Sequence, residues 1–123
     1  MTLLLAASVA NCTSSETRTV DVGIRYSRFL PDTLEVGTGT TVTFTIHNDD
    51  PIPHEFILGT TDEQLAHEQG TEITHDGAPG AASLEPGETT VVTYTFDEPG
   101  TLEFACHLPG HYAYGMRGTV TIS

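Results

Sequence analysis

The sequence predicts an all-β domain, an antiparallel sandwich or barrel interrupted by one long, partly helical insertion. Apolar residues recur at every second position in five stretches, and Gly- or Pro-bearing turn signals separate most of them. The insertion stands out because residues 60–82 (TTDEQLAHEQGTEITHDGAPGAA) run long with no such alternation.

Residues 1–12 (MTLLLAASVANC) are an apolar stretch with small residues that runs into a cysteine. This reads as the end of an export signal, with Cys12 where a lipoprotein is cleaved and lipidated. Residues 13–18 (TSSETR) are a polar tether, and residues 19–123 form the domain. Val20, Val22 and Ile24 share the face of a first strand. Val42, Phe44 and Ile46 oppose Thr41, Thr43 and Thr45 in the clearest one. Val92, Tyr94 and Phe96 mark a third strand, Leu102, Phe104 and Cys106 a fourth, and Val120 and Ile122 the last. Turns fall at Gly37-Thr38-Gly39, Glu85-Pro86-Gly87 and Glu98-Pro99-Gly100. Inside the insertion, residues 62–69 fit about two helical turns, with Thr61 as N-cap and acidic residues early.

A chain of 123 residues is of one-domain length, and no apolar run reaches the roughly 18 residues that span a bilayer. Seventeen acidic residues face four basic ones, for a net charge of −13. The basic residues are all arginines: Arg18, Arg25, Arg28 and Arg117. Such a field argues against nucleic acid, which is bound by Lys and Arg neutralising phosphates, and favours cations or a basic partner.

The chemistry lies in residues 104–118, FACHLPGHYAYGMRG, where Cys106, His111 and Met116 are spaced C-x4-H-x4-M between the last two strands. His54 sits upstream in NDDPIPHEF, between the strand ending near Asn48 and the apolar run Phe56-Ile57-Leu58. Beyond the leader, Cys106 is the sole cysteine and Met116 the sole methionine. Each residue alone reads as an ordinary core or loop residue; all four together at strand ends read as a metal site. One thiolate, two imidazoles and a weak thioether select copper in a type 1 arrangement. Structural zinc wants four strong ligands, and strand alternation turns His107 away from the face of Cys106. Calcium and magnesium want oxygen clusters.

From about residue 19 to residue 123 the chain resembles the cupredoxins, the plastocyanin and azurin family. Its C-x4-H-x4-M spacing is similar to that of rusticyanin and auracyanin. The PHEF motif, the long insertion and CHLPGHYAYGMRGTVTI are also similar to periplasmic copper-tolerance cupredoxins. The resemblance implies a Greek-key β-sandwich with one copper at one end, held by His54, Cys106, His111 and Met116. It also implies an apolar docking patch around His111, where Leu108, Pro109, Tyr112 and Tyr114 lie. Two positions depart from the pattern. Glu55 follows the first histidine where many relatives carry Asn or Ser, and the insertion has no methionine.

The remaining histidines carry weaker expectations. His107 is read as a surface residue or one that backs the ligands, His67 and His75 as solvated loop residues, and His47 without a role. The expected function is single-electron transfer between redox partners outside the cytoplasm, by a monomer that is not an enzyme. The partner expected is a protein with a basic face, such as a cytochrome or terminal oxidase, and the membrane link is a lipid on Cys12. The alternative is extracytoplasmic copper sequestration or relay. An oxidase would need paired H-x-H motifs for further copper, and the chain has none.

Overall fold

The computed structural model describes residues 16–70 and 79–123. The leader with Cys12, the first half of the tether (residues 13–15), and Glu72, His75 and Asp76 lie outside the described residues. The elements are β1 (Thr17–Arg25), β2 (Arg28–Leu30), β3 (Thr33–Val36), β4 (Thr40–Asn48), β5 (His54–Gly59), α1 (Thr61–Glu68), β6 (Ala81–Leu84), β7 (Thr89–Phe96), β8 (Gly100–Ala105), α2 (His111–Tyr114) and β9 (Arg117–Ile122). They form a Greek-key β-sandwich of a four-stranded sheet, β2-β1-β4-β7, and a five-stranded sheet, β3-β9-β8-β5-β6.

The sheets are mixed rather than purely antiparallel. β1 runs parallel to β4, pairing Val20 with Phe44 and Val22 with Ile46, and β3 runs parallel to β9, pairing Leu34 with Val120. After β2 the chain crosses to the other sheet for β3 and returns as β4, so β1 and β4 point the same way. Side-chain alternation says which face is buried, not which way the neighbouring strand runs.

The alternation places the core as expected. Along β4 every second side chain is buried from Thr40 to Asn48. On its outer face the Thr41 and Thr95 hydroxyls are 2.8 Å apart, a cross-strand pair between β4 and β7. Phe44, backed by Phe96 in its own sheet, meets Phe56 of the other sheet, which stacks on Phe104. The Phe44–Phe56 and Phe56–Phe104 centroids are each 5.3 Å apart. Each such ring stabilises the fold by about 1.5–3 kcal/mol through burial alone.

The insertion opens with α1, one residue earlier than the sequence predicts. Thr60, not Thr61, is the N-cap: its hydroxyl accepts the Glu63 N–H at 3.2 Å, and the Glu63 carboxylate accepts the Thr60 N–H at 2.7 Å. The capping box T-x-x-E satisfies two backbone donors at once, which a cap at Thr61 would not. α1 covers the outer face of β5 and β8, where Ile57 and Ala105 are buried. Gln64 anchors it from full burial, donating to the carbonyls of Ile57 at 2.8 Å and Glu103 at 3.0 Å. No helix among the described residues is long and apolar enough to cross a membrane.

Candidate metal centre

Four chain segments converge at one end of the sandwich. His54 opens β5, Cys106 directly follows β8, His111 opens α2, and Met116 lies between α2 and β9. The C-x4-H-x4-M loop is shaped by the single turn of α2, flanked by Gly110 (φ 82°) and Gly115 (φ 116°), both left-handed. A side chain at either position would strain the backbone there. The loop is closed by Met116 N–H on His111 O at 3.0 Å and Cys106 N–H on Met116 O at 3.1 Å. Cys106 and Met116 are thereby tied to the same end of the β8–β9 ladder.

The donor atoms of His54, Cys106 and His111 all lie within 4.8 Å of one another. Cys106 Sγ is 3.5 Å from His111 Nδ1, and the two imidazole centroids are 5.1 Å apart. His54 is 1% exposed and Cys106 and Met116 are fully buried, while His111 keeps a partly exposed edge. His54 Nδ1 is buried without a hydrogen-bond partner. An orphaned buried polar atom costs about 1–3 kcal/mol, and a metal ion at this position would satisfy it. The donor set of soft thiolate, two imidazoles and a nearby thioether therefore fits copper.

Electrostatics prepare the donors. Burial pushes the Cys106 thiol above its ordinary value, opposed by the backbone N–H groups of Glu55 and Leu108. Burial, reinforced by His54 alongside, pulls the His111 imidazole down, so it stays neutral with a lone pair to give. Burial alone would raise Asp50, but hydrogen bonds from Ser27, His54 and Tyr26 outweigh it and hold the carboxyl below its ordinary range.

Residues behind the donors were less legible. Asp50 Oδ2 is 2.8 Å from His54 Nε2. Glu55, the position that departs from the family pattern, brackets Cys106. Its N–H points at Sγ at 3.4 Å and its carboxylate accepts the His107 N–H at 3.1 Å. His107 is turned away from the donors, as alternation predicts, but it is not a surface residue. Its side chain is buried under α1, with Nδ1 2.8 Å from Glu68 and Nε2 2.5 Å from Gln64. His67 belongs to α1, not to a loop, and stacks on His107 at 5.3 Å. His47 ends β4 exposed, 2.9 Å from Asp49 and bonded to the Thr89 hydroxyl.

Comparison with known proteins agrees with this geometry. The family described as copper binding proteins, plastocyanin/azurin family, matches residues 17–123. The chain is 40% identical to a copper-resistant cuproprotein, CopI, of Rubrivivax gelatinosus, over 77% of this chain and 59% of that protein. It is 29% identical to the CopI of Pseudomonas aeruginosa, over 85% of this chain and 76% of that one. The solved structure of auracyanin B superposes with a TM-score of 0.71 at 28% identity, covering 86% of this chain and 88% of the other. His54, Cys106 and His111 are placed to hold one copper ion, and Met116 beside them fits a type 1 site. This chain belongs to the plastocyanin/azurin family of copper-binding proteins.

Proposed function

We propose that the chain is a type 1 copper protein that carries single electrons between redox partners outside the cytoplasm. The observation that supports this best is the asymmetry of burial: His54, Cys106 and Met116 are sealed in, and His111 keeps an exposed edge. Copper, when bound, supplies a one-electron couple between Cu(II) and Cu(I). The protein's part is to hold the donors on β5, the end of β8 and the α2 loop, so that little has to move when the charge changes. Burial of Cys106 and Met116 keeps water off the site, and His111 offers a partner its nearest approach.

The partner is a redox protein with a basic face, such as a cytochrome or terminal oxidase, and the protein acts as a monomer without a substrate of its own. Export, with a lipid on Cys12 as the membrane link, places it there. A second reading, copper sequestration or relay, is favoured by the relatives called copper-resistant cuproproteins, the first 40% identical over 77% of this chain.

The two readings separate in one set of measurements. Cu(II) added to the purified protein should give an intense visible band and a type 1 EPR signal, followed by rapid stopped-flow reduction by a cytochrome. Slow electron exchange with copper held against a strong chelator would favour sequestration. A Cu(II) adduct without that band would defeat the electron-carrier reading, and copper lost at once to a weak chelator would defeat sequestration.

A further inference from the structure

We propose that Asp50 is the positioning residue for His54: its carboxylate takes the Nε2–H of that ring, leaves Nδ1 as the atom facing the metal, and strengthens it as a donor. The inference rests on the reading of His54 as a copper ligand. His54 Nε2 lies 2.8 Å from Asp50 Oδ2, and Nδ1 is the buried atom without a partner. An acceptor on one ring nitrogen fixes the proton there and aims the other lone pair.

The surroundings of Asp50 show that this carboxylate is itself held in place. The N–H of Tyr26 reaches Oδ1 at 2.7 Å and the N–H of Ser27 reaches Oδ2 at 2.8 Å. Tyr26 and Ser27 both have φ of 54°, left-handed values that neither residue adopts without cost. At these values, two successive N–H groups converge on one anion. From the other side Asp50 N–H donates to Asn48 Oδ1 at 3.0 Å. Fully buried Asn48 in turn donates to the carbonyls of Ile52, Leu84 and Glu85 at 2.9, 3.3 and 3.2 Å. The β1–β2 turn, the end of β4, the start of β5 and the end of β6 thus meet at one carboxylate behind one ligand.

A neutral acceptor would fix the tautomer as well as Asp50 does. What the carboxylate adds is negative charge, which makes the imidazole a stronger donor and favours the more highly charged Cu(II) over Cu(I). Asp50→Asn keeps an acceptor and removes the charge, whereas Asp50→Ala removes both.

The test uses the full chain in metal-free, Cu(I) and Cu(II) forms. In the wild type, nitrogen-15 NMR of the metal-free protein should show His54 protonated at Nε2, and Cu(I) should shift Nδ1. Asp50→Asn should keep that tautomer and the visible colour, bind Cu(II) about 10- to 100-fold more weakly by chelator competition, and have a higher reduction potential. Asp50→Ala, if it folds, should lose the single tautomer.

A wild-type His54 protonated at Nδ1 would overturn the inference. If Nδ1 shifts with Cu(I) but Asp50→Asn leaves Cu(II) affinity and potential unchanged, the inference fails and the ligand reading stands. If Nδ1 does not respond to Cu(I), both fall.

Discussion

At the scale of single residues, the thiol of Cys106 governs how the metal enters. Burial holds its proton more firmly than in an unfolded chain, so copper must displace a proton to bind. The sign follows: the folded state keeps the proton to higher pH than the unfolded one, so the metal-free protein loses stability as pH climbs past the ordinary thiol range. Alkylation of Cys106 by iodoacetamide should accordingly be slow at neutral pH, rise only in alkali, and stop once copper is loaded. Fast alkylation at neutral pH would mean the thiol is not sheltered. Once copper is bound, Cys106→Ser should abolish the intense charge-transfer colour, and a strongly coloured variant would remove Cys106 from the donor set. Met116→Leu should keep the colour and raise the reduction potential, because Cu(II) loses a donor. An unchanged potential would mean that the Met116 thioether is not a donor to the copper. Three donors, Cys106, His111 and Met116, were legible in the sequence because the thiol and thioether are scarce and crowd one loop with a histidine between them. His54 was legible because it sits where one strand ends and the next begins. Asp50 was not, being one of seventeen acidic residues. Its place behind His54 depends on the Tyr26–Ser27 turn, more than twenty residues upstream.

At the scale of elements, α1 is joined to the metal end through polar contacts rather than an apolar stripe. Its Leu65 is 46% exposed and its Gln64 fully buried, the reverse of what a hydrophobic pattern selects. Gln64 takes the His107 Nε2 contact while its amide binds two strand carbonyls, so one side chain links α1, β5, β8 and the residue after Cys106. Gln64→Ala should remove these three contacts at a buried position and cost about 1–3 kcal/mol, read from the denaturant midpoint. An unmoved midpoint would mean that α1 is held by other contacts. The long strands and all three turn signals could be read from periodicity, because each buries one face and turns on Gly or Pro. The short strands β2 and β3 could not, since three or four residues carry too little alternation to register. Gly118 shows a constraint no periodicity contains: a Cβ there would lie 2.1 Å from Phe104 Cζ and 2.8 Å from Asp32 O. The approach of β9 to the aromatic core needs glycine at that point.

At the scale of the whole molecule, the charge of −13 is unevenly spread. Three of the four arginines, Arg25, Arg28 and Arg117, line one groove of about 390 Å³ beside Gly115. The fourth, Arg18, donates to the Glu35 carbonyl at 2.7 Å. The basic side chains are thus gathered at one groove, and it is the surplus of acidic residues that would steer a basic partner. Attraction of this kind raises association rates and is screened beyond about 8 Å at physiological ionic strength. The on-rate for a basic cytochrome should fall as salt rises. The choice of variants matters, because the acids of α1 do not all serve the field alone. Glu63 caps the helix and Glu68 holds His107, so neutralising either disturbs structure as well as charge. Asp62 is exposed in the first turn, and Asp62→Asn tests the field with little else changed. It should lower the on-rate at low salt and leave it unaltered at high salt. Arg28→Gln should do the reverse, raising the low-salt on-rate by making the chain more acidic. A fall in rate with Arg28→Gln would place docking at the arginine groove, against an acidic patch on the partner. A rate independent of salt would reject steering. Stability that then grows steadily into molar salt would make the acidity an adaptation to salt.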